Sequence, residues 1–275
     1  MKITRREFAG LAVSALAVGG HADPMGYPIG CQTYPVRQAL AKDFPGTLKE
    51  LAAIGYKTIE MCSPPGYNEY RPLANLSASE MKKIITDAGL RCESCHYNMR
   101  EFKENLDERV AFAKELGLKQ MILASMGTPR DAKLSDWSRA AGELNTAAEK
   151  AHKAGLQMGF HNHDGEFQQL EGTLIYDKLM SELDPKLVKM QFQVSVIHLG
   201  FEAATYLTKY PGRIISLHLQ DWSSKENKQV AIGQGMVEWK KLFAAAKKGG
   251  VKNYFVEMNM ELMKTSYPYL HELKA

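Results

Sequence analysis

A short apolar segment followed by an amphipathic helical segment recurs eight times from residue 28 onward, and this repeat constrains the fold more than any other feature. It predicts strands near residues 29–34, 57–63, 91–98, 120–125, 157–164, 188–197, 213–221 and 253–259. It predicts helices near residues 44–54, 78–88, 106–116, 135–154, 174–183, 201–209, 238–248 and 262–273. Eight regular alternations favour parallel strands joined by crossover helices.

Two architectures fit this repeat, a closed barrel and a doubly wound open sheet. The open sheet usually carries a glycine-rich phosphate turn after its first strand. Here the first strand runs into QTYP at residues 32–35, which contains no glycine. Without its N-terminal segment the chain also has the length of roughly 250 residues that is typical of one barrel. We therefore predict an α/β fold, a single-domain (β/α)8 TIM barrel over residues 23–275.

The N-terminal segment is typical of an export signal. The sequence TRREF at residues 4–8 resembles a twin-arginine motif, an apolar stretch covers residues 9–20, and small residues follow at 20–22. The alternative is an uncleaved anchor, but this apolar stretch is too short to span a bilayer comfortably. We predict that residues 1–22 are an export signal. The mature protein is then periplasmic or otherwise extracytoplasmic, with no stable membrane span.

Charge and composition narrow the class of partner. The formal net charge is +4, and Lys2, Arg5 and Arg6 against Glu7 place about half of it in the signal. The small remaining charge is evenly spread, which argues against a nucleic-acid partner. Hydrophobic residues make up 45% of the chain, enough for a sizeable core.

Polar side chains are concentrated at the predicted carboxyl ends of the strands, where TIM barrels carry their active sites. These residues are Glu60, His96, His161, His163, Asp164, Gln193, His218, Asp221, Glu257 and Asn259. Alternate residues of a strand face the barrel interior. On that parity His161, Gln193, His218 and Glu257 can all point inward at matching depth. Imidazole nitrogen with carboxylate oxygen suits Mn, Zn, Fe or Co better than Ca or Mg. We predict a divalent metal site there, although a single inward histidine is more often structural.

Several motifs resemble the sugar phosphate isomerase/epimerase family of xylose isomerase-like barrels. They are GCQTYPVR at residues 30–37, GYKTIE at 55–60, FHNHDGEF at 160–167, HLQDW at 218–222 and VE at 256–257. In that family, inward side chains from strands five to eight hold a divalent metal that polarises a sugar carbonyl. The resemblance implies that His161, His218 and Glu257 occupy the ligand positions of strands five, seven and eight.

Two residues depart from the family pattern. Gln193 stands where the family usually has a ligand Asp, and Gln220 stands where it usually has Lys. An amide oxygen still coordinates metals but adds no negative charge, so metal affinity or selectivity is expected to change. Loss of the lysine removes a cation that would steady an enolate. Both departures leave open a non-catalytic carbohydrate-binding barrel.

The resemblance implies a metal-dependent isomerase or epimerase that acts on a sugar or keto-sugar by α-proton transfer beside a metal-bound carbonyl. Such a reaction needs a base within hydrogen-bond reach of the proton. Glu257 is the expected base as well as a metal ligand, and Glu60 is the expected acid. The expected substrate-binding residues are His96, His163, Asp164, Glu166, Gln220, Asp221 and Trp222.

Several alternatives stay open at this stage. A 3-keto-glycoside lyase would use the same proton abstraction. Glu166 is equally well explained as a cap or surface residue, and Trp222 as rim packing. DNA-repair endonucleases share the superfamily, but their larger ligand set and basic groove are not evident in this sequence. The expected partner is a small carbohydrate, and the sequence leaves monomer and homo-oligomer open.

Overall fold

Eight parallel strands close into one barrel, which confirms the predicted fold. The computed structural model describes residues 23–273. The strands are β1 Gly30–Gln32, β2 Thr58–Cys62, β3 Arg91–Tyr97, β4 Gln120–Leu123, β5 Gln157–His161, β6 Val188–Gln193, β7 Ile214–Leu219 and β8 Asn253–Val256. Each pairs with the next in chain order, and β8 pairs with β1 to complete the ring.

Helices surround the ring, as crossover connections require. They are α1 Arg37–Lys42, α2 Phe44–Ile54, α3 Ala78–Asp87, α4 Met99–Glu104, α5 Leu106–Leu116, α6 Leu134–Lys153, α7 Ile175–Glu182, α8 Ala203–Lys209, α9 Trp239–Gly249 and α10 Met260–Glu272. The short α1 and α4 were not predicted. Among residues 23–273, no helix combines the length and apolar character that crossing a bilayer requires.

All eight strands end one to four residues earlier than predicted, and at β5 and β6 this places polar residues in 3-10 helices. The strand predicted at 157–164 ends at His161, and a 3-10 helix follows at Asp164–Phe167. The strand predicted at 188–197 ends at Gln193, and a 3-10 helix covers Val194–Leu199. Two small antiparallel ribbons add to the loops, one at residues 169–174 and one at 221–230.

The segment before β1 packs under the barrel, on the face opposite the carboxyl ends of the strands. The Tyr254 hydroxyl lies 2.8 Å from the Pro24 carbonyl oxygen and 2.7 Å from that of Tyr27. Asp23 lies 2.9 Å from Nδ1 of His271, near the end of α10. These contacts fix residues 23–27 to the floor of the barrel.

Candidate active site

A cleft of about 620 Å³ opens at the carboxyl ends of the strands. Its walls include Tyr34, His163, Gln193, Gln220, Gln229 and Glu257. Amide and carboxylate groups therefore dominate its polar surface. This is the end of the barrel at which the chemistry of the fold is found.

Three buried histidines lie close together inside the barrel. The ring centroids of His161 and His218 are 4.3 Å apart, and His96 lies 5.0 Å from His161 and 5.2 Å from His218. One ligand atom from each ring lies within 4.8 Å of the others, so this group could hold a metal ion. His96 was predicted to bind substrate, but it is buried and stacks on His218.

Glu60 lies at the centre of the barrel interior, where most barrels pack branched aliphatic side chains. One of its carboxylate oxygens accepts hydrogen bonds from Ser94 at 2.5 Å and Gln191 at 2.8 Å. The other accepts from Gln32 at 3.0 Å and lies 2.5 Å from Nε2 of His218. Nε2 of His96 is 3.1 Å from that same oxygen.

The surroundings of Glu60 give no support to its predicted role as catalytic acid. Its side chain is 0% exposed, and both oxygens are occupied by buried partners. Glu60 is not among the residues that line the cleft. Glu60 lies in the barrel interior, level with Ser94 on β3 and below the cleft.

Charge complementarity holds this interior together. Burial alone would raise the pKa of Glu60, but His96 and His218 hold that pKa well below its usual range. Burial opposes a charge on His218, yet Glu257 and Glu60 raise its pKa to about 10. Burial and the neighbouring His218 push the pKa of His161 well below its usual range, so His161 is neutral. A neutral imidazole is the form that binds a metal.

Glu257 links the histidines to the cleft. Its Oε2 accepts hydrogen bonds from Nε2 of Gln193 at 2.6 Å and from Nε2 of Gln220 at 2.8 Å. Nδ1 of His218 lies 3.1 Å from the same oxygen, but off the line that a hydrogen bond needs. Burial acts to raise the pKa of Glu257, and His218 lowers it overall. Glu257 is thus an ionised carboxylate on the cleft wall.

The four predicted metal ligands converge, as the strand parity requires. His218 and Gln193 are register partners on β7 and β6, and His161 pairs with Gln191 on β6. Eleven buried side-chain nitrogen or oxygen atoms within residues 23–273 lack a hydrogen-bond partner. Four of them are both ring nitrogens of His161, Oε1 of Gln193 and Nδ1 of His218. Because unpaired buried polar atoms are costly, their clustering in one place calls for a ligand.

Asp221 was predicted to bind substrate, but its carboxylate is turned into its own loop. It is 0% exposed, and its carboxylate accepts hydrogen bonds from the backbone nitrogens of residues 222, 233, 235 and 237. The indole nitrogen of Trp239 donates to it at 3.0 Å. A side chain at Gly235 would collide with this carboxylate. Asp221 is the residue around which the loop after β7 folds.

Four other expected substrate contacts lie at or near the rim: His163, Asp164, Glu166 and Trp222. One further residue at the rim was not predicted. His163 and Asp164 line the cleft, whereas Glu166 is buried and accepts a hydrogen bond from the His163 backbone nitrogen at 2.7 Å. Trp222 stacks on His198 at 4.8 Å, and His198 Nε2 lies 3.3 Å from Asp164. No sequence motif pointed to His198, which lies on the 3-10 helix Val194–Leu199 after β6.

Known proteins share this barrel. The sequence profile of a family described as xylose isomerase-like TIM barrel matches residues 48–270. An inosose dehydratase from Geobacillus thermodenitrificans (strain NG80-2) is 23% identical over 235 residues, which span 71% of this chain and 78% of that protein. A sugar phosphate isomerase/epimerase from Parabacteroides distasonis ATCC 8503 is 26% identical, with a TM-score of 0.76 over 89% of this chain and 94% of that one. A zinc-containing structure of a protein named IOLI is 12% identical, with a TM-score of 0.66 over 90% of this chain and 94% of that one, which shows the shared fold.

Proposed function

Because this chain belongs to the xylose isomerase-like TIM barrel family, we propose that it is a metal-dependent enzyme that removes a proton beside the carbonyl of a sugar or keto-sugar. Membership in the family confirms the resemblance carried by the FHNHDGEF and HLQDW motifs. The observation that carries the proposal is the cluster of unpaired ligand atoms on His161, Gln193 and His218 beside Glu257. Isomerisation or epimerisation is the first candidate outcome.

The side chains at this place fit a divalent ion. His161, Gln193, His218 and Glu257 would hold it. His96 forms, with His161 and His218, a group of imidazoles that could hold a metal ion. His218 presents Nε2 to Glu60 and leaves Nδ1 toward Glu257, which is the arrangement of a metal-binding histidine oriented by a carboxylate. Nitrogen-rich ligands favour Zn, Co, Fe or Mn over Mg and Ca. When bound, such an ion supplies Lewis-acid polarisation of a carbonyl oxygen.

Glu257 is the residue proposed to take the proton. Its Oε2 is occupied by Gln193 and Gln220, and its side chain is 14% exposed on the cleft wall. The carboxylate is ionised and within reach of a ligand in the cleft, which a general base requires. Glu60 orients His218 instead of exchanging protons with substrate. His163, on the cleft wall, is the proposed acid partner.

A lyase is the second candidate, and it is supported by the inosose dehydratase relative. Elimination begins with the same removal of an α-proton by Glu257. It then expels a β-hydroxyl or glycosidic oxygen, which needs a proton from a donor such as His163. The two candidates therefore share one base and differ in the fate of the intermediate.

The cleft favours an uncharged polyhydroxylated ligand over a phosphate ester. Among the described residues that line it, Arg37 carries the one permanent positive charge. Its Nε lies 3.0 Å from Glu69, and its guanidinium lies 4.1 Å over the Tyr34 ring. Gln193 and Gln220 offer the amide groups that suit hydroxyls. We therefore propose a free sugar or keto-sugar as substrate.

Elemental analysis combined with solvent exchange tests the function. Purified protein should contain close to one Mn, Zn, Fe or Co per chain, and His218→Ala should lose it. With keto-sugars in D2O, the loaded protein should place deuterium at an α-carbon, and Glu257→Gln should abolish this exchange. A new carbon–carbon double bond that absorbs in the ultraviolet would identify the lyase. Metal-free protein that binds sugars without exchange would support a binding barrel and refute the enzyme.

Export remains part of the proposal. The twin-arginine-type segment at residues 1–22 lies outside the described residues, so its role rests on the sequence alone. We propose that it directs the protein out of the cytoplasm. Replacing Arg5 and Arg6 by Lys should retain the protein in the cytoplasmic fraction, and unchanged fractionation would contradict export by this route.

A further inference from the structure

Two glutamine side chains converge on a single atom of Glu257. Gln193 extends from the end of β6, and Gln220 directly follows β7. Both donate an amide N–H to Oε2 of Glu257, at 2.6 Å and 2.8 Å. A carboxylate oxygen has about two lone-pair positions, so these two bonds fill Oε2. Nδ1 of His218 lies 3.1 Å from the same oxygen.

We propose that Gln193 and Gln220 are positioning residues that lock the Glu257 carboxylate with Oε1 as its one free, reactive oxygen. This inference rests on the proposed function, in which Glu257 binds the metal and takes the proton. A carboxylate with both oxygens free would rotate about its last side-chain bond and share either oxygen with solvent. Two donors on one oxygen remove that freedom and fix where the other oxygen points.

The chemistry of the two positions accounts for amides in particular. A carboxylate at position 193 would face Oε2 of Glu257 at hydrogen-bond distance, and two like charges so close would repel. An amide donates to that oxygen and keeps its own oxygen for another partner. Oε1 of Gln193 is buried and has no hydrogen-bond partner, so it is available to a metal. The Gln193 side chain thus offers its oxygen to the metal and its N–H to Glu257, the proposed base.

On this reasoning the two departures from the family pattern are one coupled feature. Each replaces a charged side chain by an amide, and both amides bind the same oxygen. The two amides hold Glu257 through short hydrogen bonds from uncharged donors, where the family pattern has an Asp and a Lys.

The first experiment measures metal affinity in chelator-treated protein by titration with Zn²⁺ and with Mn²⁺. Residues that orient metal ligands typically contribute about 10–100-fold to affinity. Gln220→Leu should therefore weaken binding at least tenfold, and Gln220→Glu should weaken it more than leucine does because it places an anion against Oε2. The control is Gln229→Leu, whose Nε2 is 3.5 Å from the Glu257 backbone oxygen and not on the carboxylate. Its metal affinity should stay within about twofold of wild type.

The second experiment uses no metal and separates this inference from the proposed function. The thermal midpoint of Gln220→Leu is compared in the wild-type and Glu257→Leu backgrounds. If Gln220 acts through Glu257, its replacement should lower the thermal midpoint at least twice as much in the wild-type background as in the Glu257→Leu background. Equal shifts in both backgrounds, or equal metal affinity of Gln220→Leu and wild type, would overturn the positioning role. Absence of any metal binding would count against the proposed function, and the midpoint comparison would still decide whether the amide holds Glu257.

Discussion

Replacement of Glu60 by Gln is the sharpest test of the buried network. The variant keeps the shape of the side chain but presents one oxygen and one NH2 group in place of two anionic oxygens. The new NH2 group would face two existing donors. These are Ser94 and Gln191 if it replaces Oε1, or Gln32 and His218 if it replaces Oε2. Removing one partner of a buried ion pair costs about 3–5 kcal/mol. Two lost hydrogen bonds to a charged group, at about 1.5–3 kcal/mol each, give a similar figure.

We expect Glu60→Gln to lose about 3–5 kcal/mol of unfolding free energy at pH 7. For a chain of this size that corresponds to a fall of roughly 6–20 °C in the thermal midpoint. The depressed pKa of Glu60 means that its contribution is present above the unfolded value of about 4.3 and is lost as the pH falls toward the folded value. The gap between variant and wild type should therefore narrow below about pH 4.

Calorimetry and guanidinium denaturation of chelator-treated protein measure this difference. The control is Glu104→Gln, which breaks an exposed pair with Arg100 at 2.8 Å and should cost no more than about 0.5 kcal/mol. A Glu60→Gln variant as stable as the Glu104→Gln control would refute the reasoning, because neutral contacts would then suffice at the barrel centre.

Four further predictions follow from the same contacts. In metal-free protein the unfolding free energy should fall as the pH rises from 6.5 to about 10. The folded protein holds the proton of His218 up to about pH 10, whereas the unfolded chain loses it near pH 6.5, so this stabilisation is complete below pH 6.5 and is lost as the pH rises. His218→Gln should flatten that slope in a denaturation series. Burial raises the pKa of Glu166 to about 7, so the ionised carboxylate destabilises the fold. In the same denaturation series, Glu166→Gln should raise the unfolding free energy by about 1–3 kcal/mol at pH 8 and by little at pH 5. Asp221→Asn should lower the unfolding free energy by about 2–4 kcal/mol and speed amide hydrogen exchange across residues 224–237; unchanged exchange would contradict its role in the loop. In equilibrium binding, D-fructose 6-phosphate should bind at least tenfold more weakly than D-fructose, and tighter binding of the ester would refute the uncharged substrate.

The barrel was predictable because its repeat is periodic along the whole chain. Helices α2 and α5 have the predicted bounds, and every barrel strand lies inside its predicted range. Strand ends were less predictable, because polar side chains that cap loops also follow the strand period. At β5 and β6 the structure turns into 3-10 helices where the pattern of alternate residues still continues.

The sequence could predict which side chains of the candidate site face the barrel interior, but not how far below the cleft each one lies. Period-two alternation is enough to predict that His161, Gln193, His218 and Glu257 share the interior. It does not show that Glu60 lies level with Ser94, in a layer closed to the cleft, because that depends on strand register and on an irregularity between Ile59 and Glu60. Nor could sequence show that Asp221 folds a loop around itself, since all its partners except the adjacent residue 222 lie 12 to 18 residues away.

The anchored segment at residues 23–27 has a practical meaning. Because Tyr254 and His271 contact this segment beneath the barrel, a tag that replaces residues 1–22 would be joined on the side farthest from the cleft. An affinity tag, a fluorescent fusion or a surface tether attached there would leave the entrance open to ligand. The protein could be immobilised through its amino-terminal side with every cleft facing the solution.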